Sequence, residues 1–327
     1  MSDRPRVAAM VLARDRAEPL RETLTALRGQ EVDALVLIDN DGTPDVKAEL
    51  ELAAADHPDC DIVRLDRNMG CCGGFEAGLA HVMARGDIDF VCGFDDDATP
   101  LPGCVAELLA VATTLPAVGA VGAVSHAPDG TLAWAMYPVD GSGPAETVEE
   151  VHVLAAGRTG IPVLNLAWHG LLLPVEVLRR HGSVWGELFL QYEDIELGMR
   201  YRAAGLNMYL APGAECFHPP PPKARAVKIA GRQIDVTAQN ASKEYLTLRN
   251  GLVVRRRWDG LRFWYGTGPF VLLRGLLSSF ALDVPALAAL RHVFAQGVID
   301  AARGRLGPPP PATAGLGSPP KAPAGKR

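Results

Sequence analysis

Three consecutive aspartates, Asp95-Asp96-Asp97, stand directly after the apolar run Phe90 to Phe94. Hard divalent cations take oxygen ligands, and Mg2+ or Mn2+ commonly bridges carboxylates to phosphates. Residues i and i+2 of an extended segment point the same way, so Asp95 and Asp97 are expected to share a metal, with Asp96 facing a nucleotide or its ribose. The ordinary alternative is an acidic loop in which Asp97 or Thr99 caps the helix after Pro100. A second acidic pair, Glu193-Asp194, precedes Ile195 and Met199 at helical spacing. Capping and the helix dipole favour acids there. The chemical reading makes Asp194 a general base that removes a proton from an acceptor hydroxyl, with Glu193 orienting it or binding the acceptor. His218, in Glu215-Cys216-Phe217-His218, is either a structural imidazole or a further metal ligand.

The elements that must position these groups alternate. Val7 to Leu12, Leu35 to Ile38, Asp61 to Leu65 and Phe90 to Phe94 read as short buried strands. Between them Leu20, Leu24 and Leu27, the stretch Val46 to Ala55, and Phe75, Leu79 and Val82 read as helices. That alternation predicts an α/β fold with a mostly parallel central sheet and flanking helices. Ligands bind outside the carboxyl ends of such strands, which puts Asp39, the residues after Leu65, and Asp95 to Asp97 around one crevice. Farther on, Pro102 to Leu115 reads as a helix and Val118 to Val124 as a strand. Residues 125–160 read as irregular surface segments, and Leu164 to Leu173 is apolar around Trp168-His169-Gly170.

The chain has 327 residues, enough for one large α/β domain with a helical appendage. Its net charge of -6 gives no reason to expect nucleic-acid binding. Charge is uneven, because Lys223 to Arg262 holds ten basic residues against Asp235, Glu244 and Asp259. The six cysteines include no C-x-x-C pair, and Cys71-Cys72 reads as tight packing, so a reducing cytoplasm is expected. The opening MSDRPRVAAM lacks the features of a signal peptide. Phe270 to Leu290, interrupted by Arg274 and Asp283, is too broken for a membrane span and reads as packed helices that can lie on a membrane surface. Four prolines at 219–222 are expected to end a catalytic domain over 1–222. A basic, mainly helical region over 223–305 and a disordered Pro/Gly/Ala tail over 306–327 follow.

Taken in order, these segments resemble the family 2 glycosyltransferases of the GT-A fold, from about Val7 to Arg257. Leu20, Leu24, Leu27 and Gln30 match an "L..tL..L..Q" helix, and Asp39-Asn40-Asp41-Gly42-Thr43 matches "vDN.gt". Asn68, Gly70, Gly73, Gly74 and Gly78 match "N.G..GG...G". Asp95 to Asp97 with Pro100 and Pro102 match "DDD..P.P". Glu193 to Leu197, Arg200 and Gly205 match "EDiel..R...aG", with His218 following. Glu244 to Asn250 looks like the "YY..RN" segment of bacterial rhamnosyl- and galactofuranosyltransferases. One departure is Asp15, where the family usually has the Asn of "tyNR" at the end of its first strand.

The resemblance implies a nucleotide-sugar donor bound by residues 1–124, an acceptor part over 125–222, and inversion by direct displacement. Asp39, Asn68, Gly70 and Asp96 would bind the nucleotide sugar, with Asp39 at the base. Asp95, Asp97 and His218 would hold Mn2+ or Mg2+, Asp194 would deprotonate the acceptor, and Glu193, Trp168 and His169 would shape the acceptor site. Galactofuranose from UDP and rhamnose from dTDP are the preferred donors, for a lipid-linked or polysaccharide acceptor in cell-envelope synthesis. The expected location is cytoplasmic, peripheral at an anionic inner plasma-membrane face, and a homo-oligomer is compatible with it. A nucleotidyltransferase fits less well, because no Gly-rich loop bearing Arg and Lys follows the first strand. A non-catalytic sugar-nucleotide binder is disfavoured by the presence of both Asp97 and Asp194.

Overall fold

Strand β1 (Val7–Ala13) and strand β2 (Ala34–Asn40) are buried along their whole length, and the rest of the first half is built around them. The computed structural model describes residues 4–219, 225–229, 232–236, 240–314 and 316. Helix α1 (Ala17–Leu27), helix α2 (Pro44–Asp56), β3 (Cys60–Leu65), α3 (Gly70–Arg85) and β4 (Phe90–Asp95) complete the expected alternation. They are followed by β5 (Thr99–Pro100), α4 (Cys104–Thr114), β6 (Val118–His126), β7 (Thr131–Met136), β8 (Ala145–Thr147), α5 (Val148–Ala155) and β9 (Ile161–Val163). Next come β10 (His169–Pro174), α6 (Val175–His181), α7 (Glu193–Ala203) and β11 (Asn207–Phe217). Residues 125–160 therefore hold two strands and a helix rather than an irregular loop. Their periodicity is short and broken by glycines, but Thr147 and Glu150 form a capping box that starts α5.

The sheet runs β3-β2-β1-β4-β10-β6-β11-β5. The first four strands pair in parallel, β10 inserts antiparallel between β4 and β6, and β6 pairs in parallel with β11. Alternation of side chains divides β1 cleanly. Val7, Ala9, Val11 and Ala13 pack with Leu20, Leu24, Val46, Leu50, Val105 and Leu108 of α1, α2 and α4. On the other face Met10 and Leu12, with Ile38, meet α3, where Gly78 and Gly74 leave room for them. The glycines of α3 thus let the helix lie close on the sheet.

The start of α3 is held from a distance. Asn40 Oδ1 accepts from Met69 N at 2.8 Å, Asn68 Oδ1 accepts from Gly70 N at 2.9 Å, and the Phe189 carbonyl accepts from Cys72 N at 3.1 Å. These bonds satisfy amides that a helix leaves open at its first turn. Gly70 has φ 73°, and a Cβ there would run into the Phe189 carbonyl.

The chain separates into two compact units, Met1–Phe189 with Glu193–Pro221, and Leu190–Tyr192 with Pro222–Arg327. In the second, α8 (Ala241–Trp258) is capped by Asn240, and the strands β12 (Arg225–Ile229) and β13 (Arg232–Val236) pair antiparallel within a region expected to be mainly helical. A π-helical turn (Phe263–Thr267) leads into α9 (Gly268–Ala281), then α10 (Ala286–Ala288), a second π turn (Ala289–Ala295), α11 (Gln296–Arg303) and α12 (Pro311–Ala314). The motif residues of α8 are internal fasteners. Buried Arg249 donates to the Gly307 carbonyl at 2.7 Å, and Tyr245 donates to Asp300 at 2.8 Å. Asn250 Nδ2 donates to the Leu190 and Gln191 carbonyls, each at 2.8 Å, and so holds a segment in which Gln191 and Tyr192 carry φ of 73° and 74°. Strained residues persist only where surroundings fix them.

The tail expected to be disordered from 306 is packed as far as α12, with Thr313 buried and accepting from Ser242 at 3.3 Å. A buried guanidinium needs carbonyl partners, and the residues around Gly307 supply one. The last part of that tail, 317–327, and prolines 220–222 lie outside the described residues.

Gly70→Ala is expected to lower stability by at least about 2 kcal/mol, from left-handed strain plus overpacking. Gly86→Ala, which shares the positive φ but meets nothing within 4 Å, should cost only about 1 kcal/mol. Urea denaturation of the two variants checks the difference, and equal losses would refute the role assigned to the contact with Phe189.

Candidate functional site

The neighbours of β4 bring three ligand atoms to its carboxyl end. Asp95 closes β4, and its amide donates to the Trp168 carbonyl at 2.9 Å. His169 opens β10 opposite Phe94, and the bulge at Gly170 ends the regular pairing there. On β11, Phe217 pairs with Thr99 of β5, so His218 arrives beside the turn that follows Asp95. Asp95, His169 and His218 each present an atom within 4.8 Å of the others. The two imidazoles stack with centroids 3.7 Å apart, and His169 Nε2 lies 3.7 Å from Asp95 Oδ2.

Asp95 and Asp97 do not follow the strand alternation expected of them. The chain turns at Asp96-Asp97, with Ala98 N donating to the Asp95 carbonyl at 3.2 Å, so the extended geometry that would align the two carboxylates ends at Asp95. Asp97 faces His218 Nε2 at 3.5 Å and is ion-paired with Arg16. Asp96 is buried and paired with the same guanidinium.

The outer nitrogens of both histidines are occupied. His169 Nδ1 lies 2.9 Å from Ser125 Oγ, and His218 Nδ1 lies 2.8 Å from the Pro219 carbonyl. A carbonyl only accepts, so Nδ1 of His218 carries a proton, and a neutral ring would turn an Nε2 lone pair toward Asp97. Two acceptors facing each other require a proton or a cation between them. Burial, and then the charge of His218, hold His169 well below the usual imidazole range, so it is the neutral form that coordinates metals. One carboxylate and two oriented imidazoles therefore fit a divalent ion such as Mn2+.

Electrostatics around the ligand atoms point the same way. Burial, then the charges of Asp97 and Asp96, push Asp95 up to about 7. Burial likewise pushes Asp96 up to about 6 against the pull of Arg16. Burial also acts upward on Asp97, but the bond to His218 and the charge of Arg16 hold it down at about 2.

The other expected residues fall around this centre. Asp39 is buried at the end of β2, where its Oδ1 accepts from Gly42 N at 2.7 Å and its Oδ2 from Arg64 at 2.9 Å. Asn68 and Gly70 form the turn into α3. Trp168 lies beneath the centre, stacked on Phe75 at 4.0 Å, with an indole N–H that has no protein partner among the described residues. At the start of α7, Asp194 accepts from Ile195 N at 2.8 Å and from Asn165 Nδ2 at 3.4 Å. Burial raises its pKa. Burial and the charge of Asp194 push Glu193 up to about 7, and the thiols of Cys72 and Cys71 donate to it at 3.5 and 3.8 Å. Desolvation raises both thiols well above their usual range, so they serve as donors rather than nucleophiles.

Sequence reasoning did not single out Arg16, Arg64, Ser125 or Asn165. Only Arg16 had a visible signal, a cation in the polar stretch after the first strand. His169 was expected on the acceptor side, and the structure stacks it on His218.

Comparison with known proteins gives this arrangement a context. The family model for glycosyl transferase family 2 matches residues 9–166. A galactofuranosyltransferase GlfT1 of Mycolicibacterium smegmatis is 25% identical over 248 residues, 75% of this chain and 81% of the relative. GlfT1 of Mycobacterium tuberculosis is 27% identical over 75% of this chain and 80% of its own. Among solved structures, GalNAc-T7 with UDP, GalNAc and Mn2+ superposes with a TM-score of 0.58 at 12% identity, over 95% of this chain, which spans 59% of that one. The mannosyltransferase PcManGT of Pyrobaculum calidifontis, in complex with GDP-Man and Mn2+, gives 0.53 at 17% identity over 92% of this chain and 79% of its own. These likenesses show the fold.

Mn2+ affinity, measured by calorimetry, should rise with pH by up to about tenfold per unit between pH 6 and 7 and then level off, because the Asp95 proton must leave. A flat profile would remove Asp95 as a ligand. Ser125→Ala should weaken Mn2+ binding about tenfold, the scale of losing an outer-shell partner; unchanged affinity would free His169 from that dependence.

Proposed function

We propose, starting from a chain that belongs to the family 2 glycosyltransferases and carries the GT-A fold, that it is an inverting, metal-dependent transferase of galactofuranose from UDP or rhamnose from dTDP. The acceptor is a hydroxyl of a lipid-linked or polysaccharide glycan in cell-envelope synthesis. One observation carries this reading. The candidate cation centre at Asp95, His169 and His218 stands close enough to Glu193 for the charge of Glu193 to act on Asp95, and Asp194 opens the same helix turn as Glu193.

That arrangement supports direct displacement. The acceptor hydroxyl hydrogen-bonds to Asp194, and its oxygen attacks the anomeric carbon. The bond from that carbon to the diphosphate oxygen breaks, the electron pair leaves with the diphosphate, and the hydroxyl proton passes to Asp194. Attack opposite the leaving group inverts the centre. Burial makes Asp194 a stronger base than an exposed carboxylate, while Asn165 and the Ile195 amide hold its orientation. Glu193, fixed by the two thiols, sets the charge beside it. A divalent cation bound at the histidines would offset charge on the leaving diphosphate. Asp39, Asn68, Gly70 and Asp96 line the nucleotide side in this reading, and Trp168 supports the floor. The GlfT1 relatives favour galactofuranose as the sugar.

A donor screen with UDP-galactofuranose, UDP-galactopyranose, dTDP-rhamnose and GDP-mannose, read as nucleoside diphosphate release, tests the assignment. Release from UDP-galactofuranose or dTDP-rhamnose is expected to dominate, and preference for either other donor would overturn it. Asp194→Asn should retain donor binding and lose at least about 100-fold in turnover; near-normal turnover removes Asp194 as the base.

A further inference from the structure

Helix α9 has its residues distributed the wrong way round for a helix on a water-exposed surface. Its buried side carries Gly268, Val271, Gly275, Ser278 and Ser279. Those serines are satisfied within the helix, Ser278 Oγ donating to the Arg274 carbonyl at 3.0 Å and Ser279 Oγ to the Gly275 carbonyl at 2.8 Å. Gly275 admits Leu248 of α8, so small residues provide the close packing. The outward side carries Phe270, Leu273 and Phe280, with half-buried Leu277 between the last two. The spacing of three, four and three residues makes one continuous stripe. A helix facing water normally shows the reverse.

The stripe continues into the preceding π turn, where Trp264 and Tyr265 are 66% and 75% exposed, and Phe270 is 67% exposed. Arg256 and Arg262 are exposed, and Arg262 directly precedes the π turn that carries Trp264 and Tyr265, whereas Asp259 is engaged by Arg255 at 3.7 Å. Tryptophan and tyrosine suit the boundary between headgroups and acyl chains, and arginines beside them suit anionic headgroups. The 14 residues of α9 extend about 21 Å at 1.5 Å per residue, short of a hydrocarbon core of about 30 Å. Among the described residues no helix is long and apolar enough to cross a membrane.

We infer that the face formed by Trp264, Tyr265, Phe270, Leu273 and Phe280, with the exposed Arg256 and Arg262 of the segment leading into it, docks in the plane of an anionic lipid surface. A two-fold contact with a second copy fits less well, because it would bring the same arginines together around the apolar stripe. The inference is independent of the catalytic reading, since none of these side chains belongs to the candidate site.

Flotation of the full chain with vesicles of phosphatidylcholine, alone or mixed equally with phosphatidylglycerol, tests it. Binding to the mixed vesicles should be at least tenfold tighter and should weaken with salt. Trp264→Ser with Phe270→Ser should lose at least tenfold of that binding without a change in thermal midpoint. Arg256→Gln with Arg262→Gln should reduce the preference for anionic lipid. Hydrogen exchange of the unsubstituted chain, which needs no variant to fold, should show vesicle-dependent protection over 261–280. Absence of binding, binding unaffected by the Trp264/Phe270 pair, or protection confined to other segments would overturn the proposal. So would a dimer, seen by light scattering, that the same substitutions dissolve.

Discussion

Five carboxylates share one end of the sheet, and the candidate site is organised around keeping them there. Asp95, Asp96 and Asp97 leave β4 together, and Glu193 and Asp194 open α7 beside them. Desolvation and mutual repulsion raise Asp95 and Glu193 to about 7 and Asp96 to about 6. A carboxylate whose folded pKa lies above its unfolded value destabilises the fold as pH rises between the two. The penalty is absent below the unfolded pKa near 4 and complete above about 7, and for Asp95 it is on the order of a few kcal/mol. Asp97 works in the opposite direction. Held at about 2 by His218 and Arg16, it contributes stability above its unfolded pKa, and that contribution is lost as pH falls through about 2.

The scaffold offsets this crowding with rigid elements rather than with many cations. Parallel strands β1, β2 and β4 end at one level, with Leu12 beside Asp95 and Ala13 beside Asp39. Antiparallel β10 then brings His169 in from the opposite direction, which no parallel neighbour can do. Arg16 neutralises Asp96 and Asp97, while Arg64 and the Gly42 amide satisfy Asp39. Thiol donors serve Glu193 where a lysine would have cancelled its charge. Asp95 is left facing the two imidazoles.

Much of this is legible in the chain because adjacent residues carry it. The aspartate triplet after an apolar run and the acidic pair opening a helical period are local patterns, and the strand-helix alternation to Asp95 follows from hydrophobic spacing. The turn at Asp96-Asp97 is not legible from spacing, since an i, i+2 argument assumes that the strand continues. The stacking of His169 on His218 depends on where β10 enters the sheet, a non-local pairing. Cys71-Cys72 reads as packing in sequence. Its bond to Glu193, more than a hundred residues away, exists only once α3 and α7 meet. The order found from Gly307 to Thr313 escapes a compositional reading because it depends on the buried guanidinium of Arg249.

The charge pattern also bears on the order of events at the site. A nucleoside diphosphate is itself an anion, and it approaches a crevice that already holds Asp95, Asp96 and Asp97. Arg16 is committed to two of these, so its charge is largely spent within the protein. A divalent cation held by Asp95, His169 and His218 would cancel the negative charge that Arg16 leaves in the crevice the diphosphate meets. Cation and donor would then favour each other's binding, and linkage would make that assistance equal in both directions. The neutral, oriented imidazoles matter here because they add donor atoms without adding negative charge. The three aspartates and Arg16 leave a net charge of about -2, so one divalent ion would bring the set near neutrality, whereas further carboxylate ligands would keep it negative.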